Sequence, residues 1–324
     1  MLVNALVFII GWLICEFFYF KLAQRYSIVD KPNTRSSHQH ITIRGGGIIF
    51  PIAVLIGLPW GSFTDIILGI SLLLIALLSF ADDIRNIDSK LRLLIQSAAV
   101  AGMLLSVYES FSWGWLFILF VLVTGIINAY NFMDGINGIT VLYSLVTLTS
   151  IYVINRYVGS AIPELLFLSL FTSLLVFAFF NLRKKAKCFS GDVGAVTLAF
   201  IFCYLILTLS VATGFGWWIL FLGVYGIDAV FTIVCRIFRK ESLLEAHRSH
   251  FYQYLANEAG WSHIKVSLLF AFAQLILNLT IMYAYFKQSE WIAAVTLFGL
   301  LAIYSIFRFR LEGKKRLFVS YNPD

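Results

Sequence analysis

Apolar residues dominate eleven stretches of the chain, near 1–20, 46–62, 64–81, 91–108, 113–129, 138–157, 161–180, 194–212, 215–234, 264–286 and 290–307. Each approaches the ~20 residues that a helix needs to cross a hydrocarbon core. The polar breaks alternate in kind. SFSWG (110–114), RYVGS (156–160) and KQSEW (287–291) are short turns, whereas the intervening connections are longer and polar. The pattern predicts an all-α, polytopic membrane protein of ten to eleven helices, forming a single membrane-embedded domain over 1–324.

Composition agrees: 60% of the 324 residues are hydrophobic, 13% are charged, and mean hydropathy is +0.88. A soluble fold has no core large enough for that much apolar surface. All but Arg156 and Lys287 of the 24 lysines and arginines fall in the longer connections or in the tail RFRLEGKKR (308–316). That bias places the crowded side in the cytoplasm and the N-terminus outside. The net charge of +7 is therefore a topology signal and implies no nucleic-acid partner. The first span lacks a basic leader and ends in EFFYFK, so it reads as retained rather than cleaved. Cys15, Cys188, Cys203 and Cys235 have neither ligand nor disulfide spacing.

The acids sit at one level. Asp82, Asp83 and Asp88 follow the third span, Asp134 the fifth, Asp192 the seventh, and Glu241 and Glu245 the ninth, all on the basic side. Asp228 is deeper, about seven residues or ~10 Å inside its span. Acids near lipid are costly and mark function. A coupled transporter, the alternative from another class, would place them near the midplane. A ring at one face favours chemistry at the membrane surface.

Singly, several motifs have bland readings. ADDIRN reads equally as a solvated loop. SGDVGA reads equally as a glycine turn with Asp192 as a helix-start anion, and HRSHF as a surface histidine pair lacking a third metal ligand. NAYNFMDGINGI (128–139) is different, because it steps Asn128, Asn131 and Asp134 along one face between two apolar spans. Jointly, the carboxylates suit a hard divalent cation that shares substrate phosphates. Gly135, Gly138, Gly191 and Gly194 let backbone N–H groups approach phosphate. Arg35, Arg44, Lys90, Arg92 and RKKAK (183–187) supply positive charge for an anionic headgroup.

FADDIRNIDSKLRLLIQ, NAYNFMDGINGI, FSGDVGA and AHRSHFYQ, in that order and after DKPNTRSSHQHITIRGGGI (30–48), resemble the polyprenyl-phosphate N-acetylhexosamine-1-phosphate transferase superfamily. The likeness covers nearly the whole chain. AHRSH is more similar to the O-antigen and capsule initiating branch than to the muramoyl-pentapeptide transferases, which remain the nearest rival reading. The resemblance implies transfer of a sugar 1-phosphate from a UDP-N-acetylhexosamine to undecaprenyl phosphate at a bacterial inner membrane, with release of UMP. It implies Mg²⁺, with Mn²⁺ able to substitute, and leaves a homodimer open.

Residue by residue, the resemblance makes Asp192 a metal ligand together with Asp134. Asp82, with Asp83 beside it, would act on the lipid phosphate. Asn128, Asn131, Asp134 and Asn137 would line the nucleotide and metal pocket, and Phe189 would stack on uracil. His247 and His250, flanking Arg248, would meet the sugar phosphates, and Arg44, Lys90 and Arg92 would bind substrate. Asn137 stands where many members carry an acid, and IRN stands where many carry a lysine. Direct single displacement is favoured over an aspartyl-phosphate intermediate, because a phosphate monoester with a second pKa near ~6 is already mostly dianionic at neutral pH.

Overall fold

The computed structural model describes residues 2–32, 40–242 and 248–319; Arg35, Glu245 and His247 lie outside them. The helices are α1 (Leu2–Arg25), α2 (Ile49–Gly57), α3 (Phe63–Ile84), α4 (Ser89–Leu105), α5 (Trp113–Phe132), α6 (Ile139–Tyr157), α7 (Glu164–Asn181), α8 (Gly191–Thr213), α9 (Gly223–Phe238), α10 (Phe251–Gln253), α11 (His263–Phe286) and α12 (Glu290–Phe318). Among the described residues, nine segments are long and apolar enough to cross a bilayer, α9 being counted with the 3₁₀ stretch Gly216–Leu222 before it. The chain is thus an all-α, multi-pass membrane protein. Strands β1 (Val29–Asp30) and β2 (Thr42–Ile43) form one small antiparallel ladder.

Two of the eleven expected spans are shorter than a full crossing. The stretch 46–62 is helical only over Gly46–Gly57, because Leu58 turns extended (ψ 143) ahead of Pro59, whose ring disfavours helix in the residue before it. The stretch 91–108 lies in the 17-residue α4, whose first turn carries Lys90 and Arg92. Asp88, grouped above with the surface acids, caps that helix by accepting from Lys90 N (2.9 Å) and Leu91 N (3.3 Å).

Helix α8 is the buried axis, with nearly every side chain from Val193 to Leu209 enclosed, and α3, α5 and α6 pack on it. Gly47 makes the close crossing with α8 possible: a Cβ there would stand 2.4 Å from the Gly194 Cα. On α1, α5 and α12, large apolar side chains such as Phe17, Phe117 and Phe298 face outward, as lipid contact requires.

The helix break at Leu220–Val224 would leave bare backbone groups inside the hydrocarbon. Gln274 of α11 supplies them, donating to Leu220 O (2.9 Å) and accepting from Val224 N (2.9 Å). Tyr143 OH (2.5 Å) and Asn278 Oδ1 (2.5 Å) complete its partners. The four cysteines are free, and Cys188, Cys203 and Cys235 are buried.

Candidate active site

Three helix ends meet on the basic side. The last turn of α3 brings Asp82 and Asp83, the first turn of α8 brings Asp192, and the turn after α5 brings Asp134. Hydropathy ends the third span at 81 and starts the eighth at 194, so both helices run a few residues further than expected and carry their acids with them.

Asp83 is fully buried and faces the start of α8. Its Oδ1 accepts from Asp192 N (2.8 Å) and its Oδ2 from Val193 N (3.0 Å). A carboxylate at a helix N-terminus satisfies orphan N–H groups and the dipole together. Gly191 permits the approach: it sits at φ 69°, and a Cβ would stand 2.5 Å from Asp83 Oδ2.

Arg44 spans the gap, its Nε donating to Asp83 (2.7 Å) and its second terminal nitrogen to Asp192 Oδ1 (3.1 Å). Burial would lower the Arg44 pKa, but these two carboxylates raise it instead. Asp82 turns the other way. It accepts from Ile87 N (2.7 Å) and Arg92 (3.0 Å), and its carboxyl adjoins that of Asp192.

Asp134 accepts from Thr140 Oγ1 (2.5 Å) and Ser190 Oγ. Burial pushes its pKa up to about 6; the two hydroxyl bonds work against that, the Asp192 charge adds to it, and Arg44 opposes it. No three His, Cys, Asp or Glu side chains converge on one point among the described residues. The donor set still fits a hard cation that takes only one or two carboxylates from protein. Asp192 adjoins Asp82 and lies within electrostatic reach of Asp134, whose oxygens each keep a lone pair beyond their hydroxyl bond.

Beside the acids lies a cavity of about 420 Å³ bordered by Phe189, Asn137, Lys184, Lys185, His40 and His263. Phe189 is clamped by its own backbone, N to Ile43 O (2.8 Å) and O from Gly46 N (2.8 Å). Asn137 donates to Arg183 O (2.9 Å) and Lys184 O (3.3 Å), while its buried Oδ1 has no partner. A buried acceptor left open beside a cavity is suited to a ligand donor.

His250 is buried against the end of α5. Tyr252 OH donates to Phe132 O (2.8 Å), and the Phe132 and His250 rings lie 6.3 Å apart. His250 Nδ1 stands 2.9 Å from Asp228 Oδ1, and Phe251 N also bonds that carboxylate (3.2 Å). Asp228, a depth anomaly in the sequence, is thus the anchor of the histidine segment. A second anchor is Arg308 of α12, fully enclosed, which donates to Ser249 O (2.8 Å) and Thr232 Oγ1 (3.0 Å) while paired with Glu312.

Asn128 bonds Thr124 O (2.8 Å) and faces Gln96 (3.5 Å). Asn131 and Arg248 are half-buried, and Lys90 is exposed. Of the four glycines expected near phosphate, Gly138, Gly191 and Gly194 are closely packed, whereas Gly135 is exposed beside Tyr252. Gly138 N is taken by Asn181 (2.8 Å), and Gly135, Gly191 and Gly194 face Tyr252, Asp83 and Gly47. Sequence reasoning missed Thr140, Ser190, His263, Tyr252 and Arg308. None gave a signal in the sequence, where Arg308 reads as the start of the basic tail.

The profile of Glycosyl transferase family 4 matches residues 66–210, from α3 through most of α8. A probable undecaprenyl-phosphate N-acetylglucosaminyl 1-phosphate transferase of Bacillus subtilis (strain 168) is 29% identical over 272 residues, covering 75% of this chain and 73% of its own. The undecaprenyl-phosphate alpha-N-acetylglucosaminyl 1-phosphate transferase of Salmonella typhi is 26% identical over 304 residues, with coverage of 85% and 82%. A phospho-N-acetylmuramoyl-pentapeptide-transferase of Dictyoglomus thermophilum is 29% identical over 174 residues, with coverage of 47% and 55%. The matched profile contains Asp82, Asp83, Asp134, Phe189 and Asp192, and over that stretch the chain is similar to Glycosyl transferase family 4 and to undecaprenyl-phosphate N-acetylglucosaminyl 1-phosphate transferases.

Proposed function

We propose that this protein transfers a sugar 1-phosphate from a UDP-N-acetylhexosamine, UDP-GlcNAc or a 6-deoxy relative, to undecaprenyl phosphate. UMP leaves, and the product opens a lipid-linked route to a cell-envelope polysaccharide. The carrying observation is the convergence of Asp82, Asp192, Arg44 and Arg92 at a membrane-level surface, beside a cavity walled by Phe189 and Asn137. The names of the relatives supply the substrate class. The lysine and arginine bias supports a cytoplasmic position for this face, at a bacterial inner membrane, where UDP-sugars are.

In this reading Phe189 stacks on uracil, and the open Asn137 Oδ1 accepts from the base. Lys184 and Lys185 meet the donor's phosphates. Arg92 and Lys90 draw the lipid phosphate toward Asp82, which orients it for in-line attack on the β-phosphorus. The bond from that phosphorus to the UMP oxygen breaks as the new one forms. Asp83 contacts neither substrate; it sets Asp192 by holding the start of α8. His250, kept in place by Asp228, faces the donor's phosphates with Arg248. Asp192 and Asp134 would hold Mg²⁺, which would supply positive charge to offset that of the pyrophosphate and the departing UMP.

The test is UMP release by purified protein with undecaprenyl phosphate and Mg²⁺, over a panel of UDP-N-acetylhexosamines that includes UDP-N-acetylmuramoyl-pentapeptide, beside Asp192→Asn. Lipid-dependent UMP from an N-acetylhexosamine donor, abolished in the variant, is expected. Turnover of the pentapeptide donor alone, or equal UMP from Asp192→Asn, overturns the assignment. A phosphorylated protein after UDP-sugar alone refutes single displacement.

A further inference from the structure

A second concavity lies on the flank formed by α9, α11, α12 and the segment after α10. It measures about 230 Å³, and its wall is wholly apolar. Val224, Phe251 and Phe270 form a buried floor, whereas Ile303, Phe307 and Leu311 at the rim are 57%, 56% and 44% exposed. The groove therefore opens sideways into hydrocarbon. None of α3, α4, α5 or α8, the helices that carry the acids and Arg92, contributes to it.

On the basic side the groove is bordered by a cation, and two more follow its rim in sequence. Trp261, itself part of the wall, is fixed by its N–H to Leu255 O (2.9 Å) and carries the Lys265 ammonium 4.0 Å above its ring. Lys265 lies one turn before Leu269, another wall residue, on the same face of α11. Arg310 follows the rim residue Phe307 by three positions and is exposed; Lys314, also exposed, lies just past the break at Gly313 (φ 75, ψ 157). None of the three has an ion-pair partner among the described residues.

We propose that this groove holds one acyl chain of an anionic phospholipid, whose headgroup meets Lys265, Arg310 and Lys314. Apolar walls open to lipid select a chain, and unpaired cations at the level of the headgroups select negative charge. The acceptor's polyprenyl chain is a poorer fit, since a phosphate at this mouth would lie beside none of the four acids. The occupant backs the histidine segment. Phe251 of the floor donates its N–H to Asp228, and Tyr304 of the wall accepts from Arg308 (3.4 Å). The proposal does not depend on the reaction above, because it concerns lipid retention alone.

The test is native mass spectrometry of the full-length protein in mild detergent, titrated with phosphatidylglycerol, phosphatidylcholine or undecaprenyl phosphate. One phosphatidylglycerol per chain, retained over phosphatidylcholine, is expected. Ala273→Phe fills the groove from its wall and should abolish retention without lowering the melting temperature. Lys265→Glu should weaken retention by about fivefold or more. Hydrogen exchange over 251–258 should slow when phosphatidylglycerol is bound. Equal retention of phosphatidylcholine, displacement by undecaprenyl phosphate, or undiminished retention in Ala273→Phe would each overturn it. Should Ala273→Phe fail to fold, Leu300→Trp fills the same groove from α12.

Discussion

Arg308 is a charge inside a membrane span, and its removal separates two jobs that one side chain performs. Its guanidinium pairs with Glu312 and also reaches Ser249 O (2.8 Å) and Thr232 Oγ1 (3.0 Å). Arg308→Met leaves Glu312 buried with Arg316 as its other partner. Breaking a buried pair from one side costs about 3–5 kcal/mol, so the single variant should melt well below the parent. Arg308→Met with Glu312→Met removes both charges and should recover most of that loss, since Arg316 retains Glu258 (2.5 Å).

The recovered fold still lacks the donor to Ser249 O. A charge-assisted hydrogen bond contributes about 1.5–3 kcal/mol. The adjoining His250 should thus lose about 10- to 100-fold in its productive population, and kcat should fall by a similar factor. Melting curves in detergent, read beside UMP release, check both halves. A double variant with parental turnover would refute the anchoring role, and one that melts no higher than the single variant would refute the charge argument.

Three further outcomes follow from the site. Asp228→Asn keeps the size of the side chain but loses the charge that orients His250 and accepts from Phe251 N, so turnover should drop by about tenfold or more and the melting temperature should fall with it; unchanged UMP release would refute this. Gly191→Ala should lower both stability and turnover, because it adds about 1–2 kcal/mol of left-handed backbone strain and pushes a methyl into Asp83; parental melting would count against the close approach. Asp134 has a folded pKa of about 6 against 3.8, so the native state holds its proton more tightly. Its stabilising share is full below 3.8 and is lost as pH rises to about 6, then constant. Melting of wild type relative to Asp134→Asn should fall across that window, and saturating Mg²⁺ should flatten the fall; a rising difference would contradict the burial.

The spans were legible because lipid exposure forces long unbroken apolar runs, and nine of the eleven proved full length. The two short ones hid their ends: Pro59 stops α2 early, and the α4 start looks like a loop because its cap and first turn are charged. The acids were legible as a set, since polar residues stand out against lipid. Their division of labour was not. Asp82 and Asp83 are chain neighbours, yet successive side chains on a helix diverge by about 100°. One therefore meets Arg92 and the other the start of α8. Pairings across long separations, such as Arg308 with Ser249 or Asn137 with Arg183, leave no local pattern because distant backbone meets them only after folding.

The bridge made by Gln274 ties membrane insertion to the order of synthesis. The broken turn at Leu220–Val224 leaves the ribosome some fifty residues before the side chain that satisfies it. Until α11 arrives, that turn would expose a bare N–H and a bare carbonyl to hydrocarbon, at several kcal/mol each. The α9 segment should then wait at the edge of the bilayer and settle only once α11 enters. A pulling-force profile of the nascent chain would show this as a second tug late in translation, and Gln274→Leu would erase it.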